Sequence, residues 1–265
     1  MSEDRVTITV EDGIAEVTLN RPGKLNAFDT AMFEALGAAG DRLMGEKGLR
    51  AVILTGAGRA FCAGIDTALL MDFASQIDQL RSEIVSPPPG RASNRFQHPC
   101  TIWADLPVPV IAALHGVTYG AGLQLALGAD LRIAAPDTQL SIMETRWGLI
   151  PDMGLTKLLP GLMRADQALE LILTARIIDA SEGLSLGLVT RIEDDALAAA
   201  RQMARAIAGR SPEAARGAKA LVRGAWPGGD DHLALEARLQ AAIIGTPNQV
   251  EAVTAAMQKR APRFT

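Results

Sequence analysis

Two apolar runs, Ala51–Thr55 and Val110–Leu114, are each followed by a turn of small residues, and each turn opens a helical pattern. The first turn reads Arg59-Ala60-Phe61-Cys62-Ala63-Gly64-Ile65-Asp66. The second reads His115-Gly116-Val117-Thr118-Tyr119-Gly120-Ala121-Gly122-Leu123-Gln124. Side chains this small let the backbone approach a ligand closely. A helix beginning there aims free N–H groups and the positive end of its dipole outward. Two such ends facing one point make a hole for a developing oxyanion. A Gly-bearing strand-to-helix turn is also common as a plain turn, and each of these is open to that reading. Neither turn is a dinucleotide fingerprint or a phosphate loop. Gly120-Ala121-Gly122 lacks the third small residue, and there is no Lys-Ser/Thr pair.

The flanking pattern sets the fold class. Val6–Val10 and Ile14–Leu19 alternate apolar and polar residues around Asp12-Gly13, a hairpin signal. Arg21-Pro22-Gly23 breaks the second strand. Asp29 or Thr30 caps a helix through Leu43, with Met32, Phe33, Leu36 and Leu43 on its apolar side. Leu131–Ala134 and Gln139–Ile142 read as further strands, Gly122–Gly128 and Arg164–Thr174 as helices. This mixture predicts an α/β fold with repeated crossovers.

Residues 75–105 contain Pro87-Pro88-Pro89-Gly90 and predict a mobile lid or long insertion. From Ala196 to Met257 the chain is Ala-rich and helical. Pro212, Pro227-Gly228-Gly229 and Pro247 split it into three or four helices. The expected division is a core over 1–195 and an α-helical section over 196–265.

Composition narrows the function. Hydrophobic residues make up 48% of the 265, enough for a sizeable core. A net charge of −4 offers no basic surface for nucleic acid or an anionic membrane. Cys62 and Cys100 give neither a disulfide framework nor zinc spacing, and no His, Cys and carboxylate cluster suggests a metal. Apolar stretches are broken well short of a membrane span, and Met1–Arg5 has no targeting pattern. The chain reads as soluble and cytoplasmic.

Taken together, the motifs resemble the crotonase, or enoyl-CoA hydratase/isomerase, family over nearly the whole chain. Asn20-Arg21-Pro22 with Leu25-Asn26-Ala27 resembles its N-terminal signature. Ala60 to Asp66 resembles its first oxyanion turn. Pro109-Val110-Ile111-Ala112-Ala113, Gly116 and Gly120-Ala121-Gly122 resemble its second. Gly148-Leu149-Ile150-Pro151 and Ala180–Val189 resemble later segments. The resemblance implies a superhelix of β-β-α units whose helical C-terminal section mediates homotrimer contacts, with hexamers as dimers of trimers. It implies an acyl-CoA substrate and no prosthetic group, coenzyme A being part of the thioester. It implies that the N–H groups of Ile65 and Ala121 are the oxyanion donors, Ala121 standing where Gly is usual. Asn26, Ala27, Ala63, Gly64, Asp66, Gly120 and Gln124 are the implied substrate-binding positions. Lys259 and Arg260 resemble a region that approaches the coenzyme A phosphate, and as residues alone they read equally as a solvated pair.

The acids choose the reaction. Family hydratases carry two glutamates, and the first position is Gln124 here. An amide does not take or release a proton at working pH. The second glutamate matches Glu144, which as a residue alone is equally a surface acid at a strand end. Asp152, eight residues on, matches an aspartate of the family's dienoyl-CoA isomerases and the nucleophile of a 4-chlorobenzoyl-CoA dehalogenase; its plain reading is a helix cap. Two nearby carboxylates push their pKa values apart, giving an acid and a base. The expected chemistry is enoyl- or dienoyl-CoA double-bond isomerisation, with Glu144 as base and Asp152 as partner acid. A hydratase or lyase on a specialised acyl-CoA and a non-catalytic acyl-CoA binder are the alternatives. His98 reads as a loop residue and His115 as structural.

Overall fold

Alternation along the two central strands decides where the helices go. In β3 (Ala51–Gly56) and β4 (Val110–Leu114) every residue is buried. Val52, Leu54, Val110, Ala112 and Leu114 face the main core, while Ala51, Ile53, Ile111 and Ala113 face a second cluster. A parallel sheet covered on both faces needs such two-sided apolar strands. The structure is a computed structural model that describes residues 4–210, 212–225, 237, 240–241 and 244–260.

The main sheet has six strands in the order β1 (Val6–Glu11), β2 (Ile14–Leu19), β3, β4, β6 (Leu131–Ala134), β9 (Arg191–Ile192). A second sheet pairs β5 (Val117–Tyr119), β7 (Gln139–Ser141) and β8 (Ile178–Asp179). Only β1 and β2 are antiparallel in the main sheet. Their two-residue loop puts Asp12 at φ 50° and Gly13 at φ 76°, the left-handed pair of a type I′ turn.

Helix α1 (Thr30–Met44) is capped by Asp29, whose carboxylate accepts the Met32 N–H at 2.9 Å. It packs on α4 (His98–Asp105), and α4 in turn on α5 (Ala121–Gly128). On the opposite face of the main sheet α9 (Ala196–Ala208) presents Ala196, Ala199, Ala200 and Ala204 to β3, β4 and β6. Alanine lets helix and sheet approach closely. The first helix of the expected C-terminal section is therefore a wall of the sheet core.

Helix α10 (Pro212–Ala225) is tied down by charge. Lys219 Nζ lies 2.8 Å from Asp130 and donates to the Val108 carbonyl at 2.9 Å, and Arg223 pairs with the same carboxylate. Helix α11 (Pro247–Met257) packs against the segment carrying Glu144. Pro212 and Pro247 open helices, as expected; Pro227-Gly228-Gly229 lies outside the described residues. No helix among the described residues is long and apolar enough to cross a membrane.

The stretch 75–105, expected as a mobile lid or long insertion, is mostly helical: the end of α2 (Thr67–Ser75), then α3 (Ile77–Val85), a turn-rich segment, and α4. Pro99 falls in the first turn of α4, where no intrahelical N–H bond is lost. The turn-rich segment is pinned by Asn94, which donates to the Ile84 carbonyl at 2.7 Å and accepts from the Phe96 and Gln97 N–H groups.

The strands follow a repeating pattern. β4 and β6 each lie in the main sheet and are followed at once by a strand of the second, β5 and β7. The segment after β3 behaves alike, Cys62 bridging in parallel to Thr118 of β5. Successive units therefore stand side by side, and their second strands end in a row.

Candidate active site

Three turns meet where those second strands end. Cys62 accepts the Tyr119 N–H at 3.0 Å and donates to the Val117 carbonyl at 3.1 Å, joining the first turn to the second. The Gly120 N–H donates to the Ser141 carbonyl at 3.0 Å, joining the second turn to the strand before Glu144. Glycine is required for this closeness at two points. A Cβ on Gly64, already at φ 96°, would lie 3.0 Å from the Tyr119 carbonyl and 3.8 Å from the Ala121 nitrogen. A Cβ on Gly122 would lie 2.5 Å from the Cys62 carbonyl.

The backbone groups of these turns are sorted by the pairing. The Phe28 N–H donates to the Gly64 carbonyl at 2.8 Å, and the Asp66 N–H to the Phe28 carbonyl at 2.9 Å. That parallel bridge leaves the Ile65 N–H on the other side of its strand. Ala121 is the first residue of α5, so its N–H has no intrahelical acceptor. Among the described residues neither N–H donates to a protein acceptor. Both belong to turns whose close approach is fixed by Gly64.

Glu144 opens a 3-10 turn, Glu144–Trp147, directly behind the second turn. A Cβ on Gly120 would lie 3.4 Å from its Oε1. Gln124, on α5 and only 1% exposed, donates from Nε2 to Glu144 Oε1 at 2.6 Å. Its Oε1 accepts the Met153 N–H at 2.9 Å. The amide thus spans from Glu144 to the Asp152–Met153 peptide. Asp152 is half-buried. The N-cap position of the following helix, α6 (Leu155–Leu158), is Gly154, two residues after Asp152. The C-terminal part of the chain closes over the same loop. The Ile150 N–H donates to the Gln240 amide at 3.3 Å, and Gln249 donates to the Trp147 carbonyl at 3.5 Å.

The remaining expected positions split. Asn26 is fully buried at φ 56°. Its Nδ2 donates to the carbonyls of Ala57, Ala60 and Phe61, and its Oδ1 accepts the Arg21 N–H. That side chain holds the first turn together and presents nothing to a ligand. Asp66 caps α2 through the Ala68 N–H at 2.9 Å and pairs with Arg21 at 2.6 Å. Burial works to raise its pKa, but these partners hold the carboxyl below the usual range. Arg21, read from sequence as part of a strand break and of the N-terminal signature, also reaches Asp29 at 3.4 Å and donates to the Ala27 carbonyl. No periodicity marks such a residue. Ala63 and Gly64 lie on the first turn and Gly120 on the second.

Cys62 is buried, its Sγ bonded to the Asn26 carbonyl at 3.2 Å and to the Gly64 N–H at 3.4 Å; burial pushes the thiol up to about 12. Arg260 pairs with Glu251 at 2.6 Å. His115 contacts the Gly58 carbonyl at 3.2 Å, a structural link. His98 is not a loop residue: it begins α4, its Nε2 3.1 Å from Asp41. Among the described residues no group of three or more His, Cys, Asp or Glu side chains is placed to hold a metal.

This arrangement matches a known family. The model of the enoyl-CoA hydratase/isomerase family matches residues 9–265. A Rhodobacter capsulatus protein named "Probable enoyl-CoA hydratase" is 37% identical over all of this chain and 99% of its own. The 1,2-epoxyphenylacetyl-CoA isomerase of Escherichia coli is 34% identical, covering 97% of this chain and 96% of its own. A solved enoyl-CoA hydratase/isomerase from Pseudoalteromonas atlantica superposes with a TM-score of 0.82 at 26% identity, over 98% of this chain and 100% of that one. The chain belongs to the enoyl-CoA hydratase/isomerase family, and its fold is the crotonase fold.

Proposed function

We propose that the protein moves a double bond along the acyl chain of an enoyl- or dienoyl-CoA thioester. The thioester carbonyl sits between the N–H groups of Ile65 and Ala121. Glu144 takes a proton from the acyl chain, and the C–H electron pair flows into an enolate whose charge those two donors stabilise. A single preorganised donor is worth about 2.7–4 kcal/mol in such holes. Asp152, as the partner acid, returns a proton at another carbon of the conjugated system. One C–H bond breaks and one forms, so no water is consumed.

The observation that carries this reading is the Gln124 amide, 2.6 Å from Glu144, where hydration calls for a second carboxylate. The name of one relative supports it, a peroxisomal dienoyl-CoA isomerase of Arabidopsis thaliana, 32% identical to this chain. Coenzyme A would run past Ala27, Ala63 and Asp66, and the working form would be a cytoplasmic homotrimer or hexamer with contacts from the 196–265 section. Incubating the purified protein with 3-enoyl, 2-enoyl and dienoyl thioesters tests the proposal. Double-bond migration that disappears in Glu144→Gln supports it; no turnover of any of them sinks it. The R. capsulatus relative's name favours a second reading, hydration or lyase chemistry on a specialised acyl-CoA. Water-dependent product formation lost in Glu144→Gln would select that reading instead.

A further inference from the structure

We propose that Gln124 is a positioning residue that fixes Glu144 and the Asp152–Met153 peptide relative to each other, and so selects proton shuttling over water addition. This rests on the isomerase reading for its catalytic consequence, not for its geometry.

The two ends of a glutamine amide are not interchangeable, and here their orientation is determined. Met153 N–H is a donor, so the group facing it at 2.9 Å is the amide oxygen. The NH2 end is then compelled to face Glu144 Oε1 at 2.6 Å. A glutamate at this position would meet the Met153 N–H equally well. At its other end it would set an oxygen against the Glu144 oxygen, which a shared proton must bridge or which a water must separate. Glutamine offers only a hydrogen there. The Glu144 carboxylate is held by a charge-assisted bond, and a water is displaced from that side.

The same amide tethers both acids. Glu144 is carried by the short turn after β7, and Asp152 by the loop before α6. Gln124 sits on α5, with a buried side chain that spans between them. Its rigid planar amide sets the separation of the two segments without itself exchanging a proton. Chain-end closeness alone would not do this, because seven residues, the rest of the 3-10 turn and an irregular loop, lie between Glu144 and Asp152.

The test uses the full-length protein with Gln124→Met, Gln124→Glu and Gln124→Asn. With 3-enoyl and dienoyl thioesters, Gln124→Met should lose kcat by about tenfold to a hundredfold, the worth of a hydrogen bond to a charged group, with KM changed less than about twofold. Gln124→Glu should lose isomerisation of these substrates and, given a 2-enoyl thioester, form the 3-hydroxyacyl thioester, read as a product one water heavier, at a rate the wild type does not reach. Gln124→Asn, too short by one methylene to reach both partners, should not restore kcat. A readout independent of turnover is the infrared band of the Glu144 carboxylate. It is isolated in 13C-glutamate-labelled protein by subtracting the Glu144→Gln spectrum. Gln124→Met should shift that band. Unchanged kcat together with an unshifted band in a folded Gln124→Met protein overturns the proposal. A shifted band in a protein that isomerises nothing would leave the positioning role standing and refute the isomerase reading instead.

Discussion

Replacing Asn26 with alanine should unfold the first turn well before the rest of the site is touched. The side chain closes four hydrogen bonds, to the carbonyls of Ala57, Ala60 and Phe61 and from the Arg21 N–H. The bonds to Ala60 and Phe61 are buried, so those oxygens have no water to turn to. A buried polar group left unsatisfied costs about 1–3 kcal/mol. Two fully buried losses give about 2–6 kcal/mol by that figure. Asn26 also sits at φ 56°, which alanine tolerates less well than asparagine, adding about 1 kcal/mol. The total is roughly 3–7 kcal/mol. At about 2–4 °C per kcal/mol for a chain of this size, the melting midpoint should fall by roughly 6–28 °C. Asn26→Asp should not rescue it, because a carboxylate cannot donate to three carbonyls. Calorimetry and guanidinium titration of the three proteins give the answer. A midpoint within about 2 °C of wild type for Asn26→Ala would refute the clamp, since that is less than one unsatisfied group.

Other outcomes follow from the same geometry. Gly64→Ala should abolish most turnover and destabilise the protein, since its Cβ meets the Tyr119 carbonyl at 3.0 Å; steady-state kinetics and melting curves check both. Burial first, and Arg91 second, lower the pKa of His98 despite Asp41. Charging it therefore opposes the fold, and stability should fall as pH drops below about 6.5, its unperturbed value. His98→Gln should flatten that part of the stability–pH curve measured by urea denaturation. Cys62, with its thiol pushed up to about 12, should resist thiol reagents at pH 8 until the protein is unfolded, which a spectrophotometric thiol assay reads directly.

The frame of the fold was legible because strand and turn chemistry is local. Asp12-Gly13, the Asp29 cap and the apolar runs of β3 and β4 each carry their structure in a few adjacent residues. The stretch 75–105 misled because Pro87-Pro88-Pro89-Gly90 dominates it in sequence, while α4 is held by packing on α1 and α5 that only the folded chain brings to it. The placing of α9 against the sheet was hidden for another reason: its Ala-rich face reads alike whether it packs on strands or on other helices. In the site, the two turns and Glu144 stood out through their resemblance to a family. The roles of Asn26, Arg21 and Gln124 did not, because they depend on partners 20 to 45 residues away that meet only in the folded chain. Gln124 is the instructive one. Its residue type said which proton chemistry it lacks, and only the structure gave the two partners that its amide joins.

The most direct measurement is product analysis in 18O-labelled water. The protein would be mixed in turn with a 3-enoyl, a 2-enoyl and a dienoyl thioester, and the products read by mass spectrometry for double-bond position and oxygen content. Isomerisation by Glu144 requires a migrated double bond with no label in the product, and its loss in Glu144→Gln. A 3-hydroxyacyl product carrying 18O, with no migrated double bond, would contradict it.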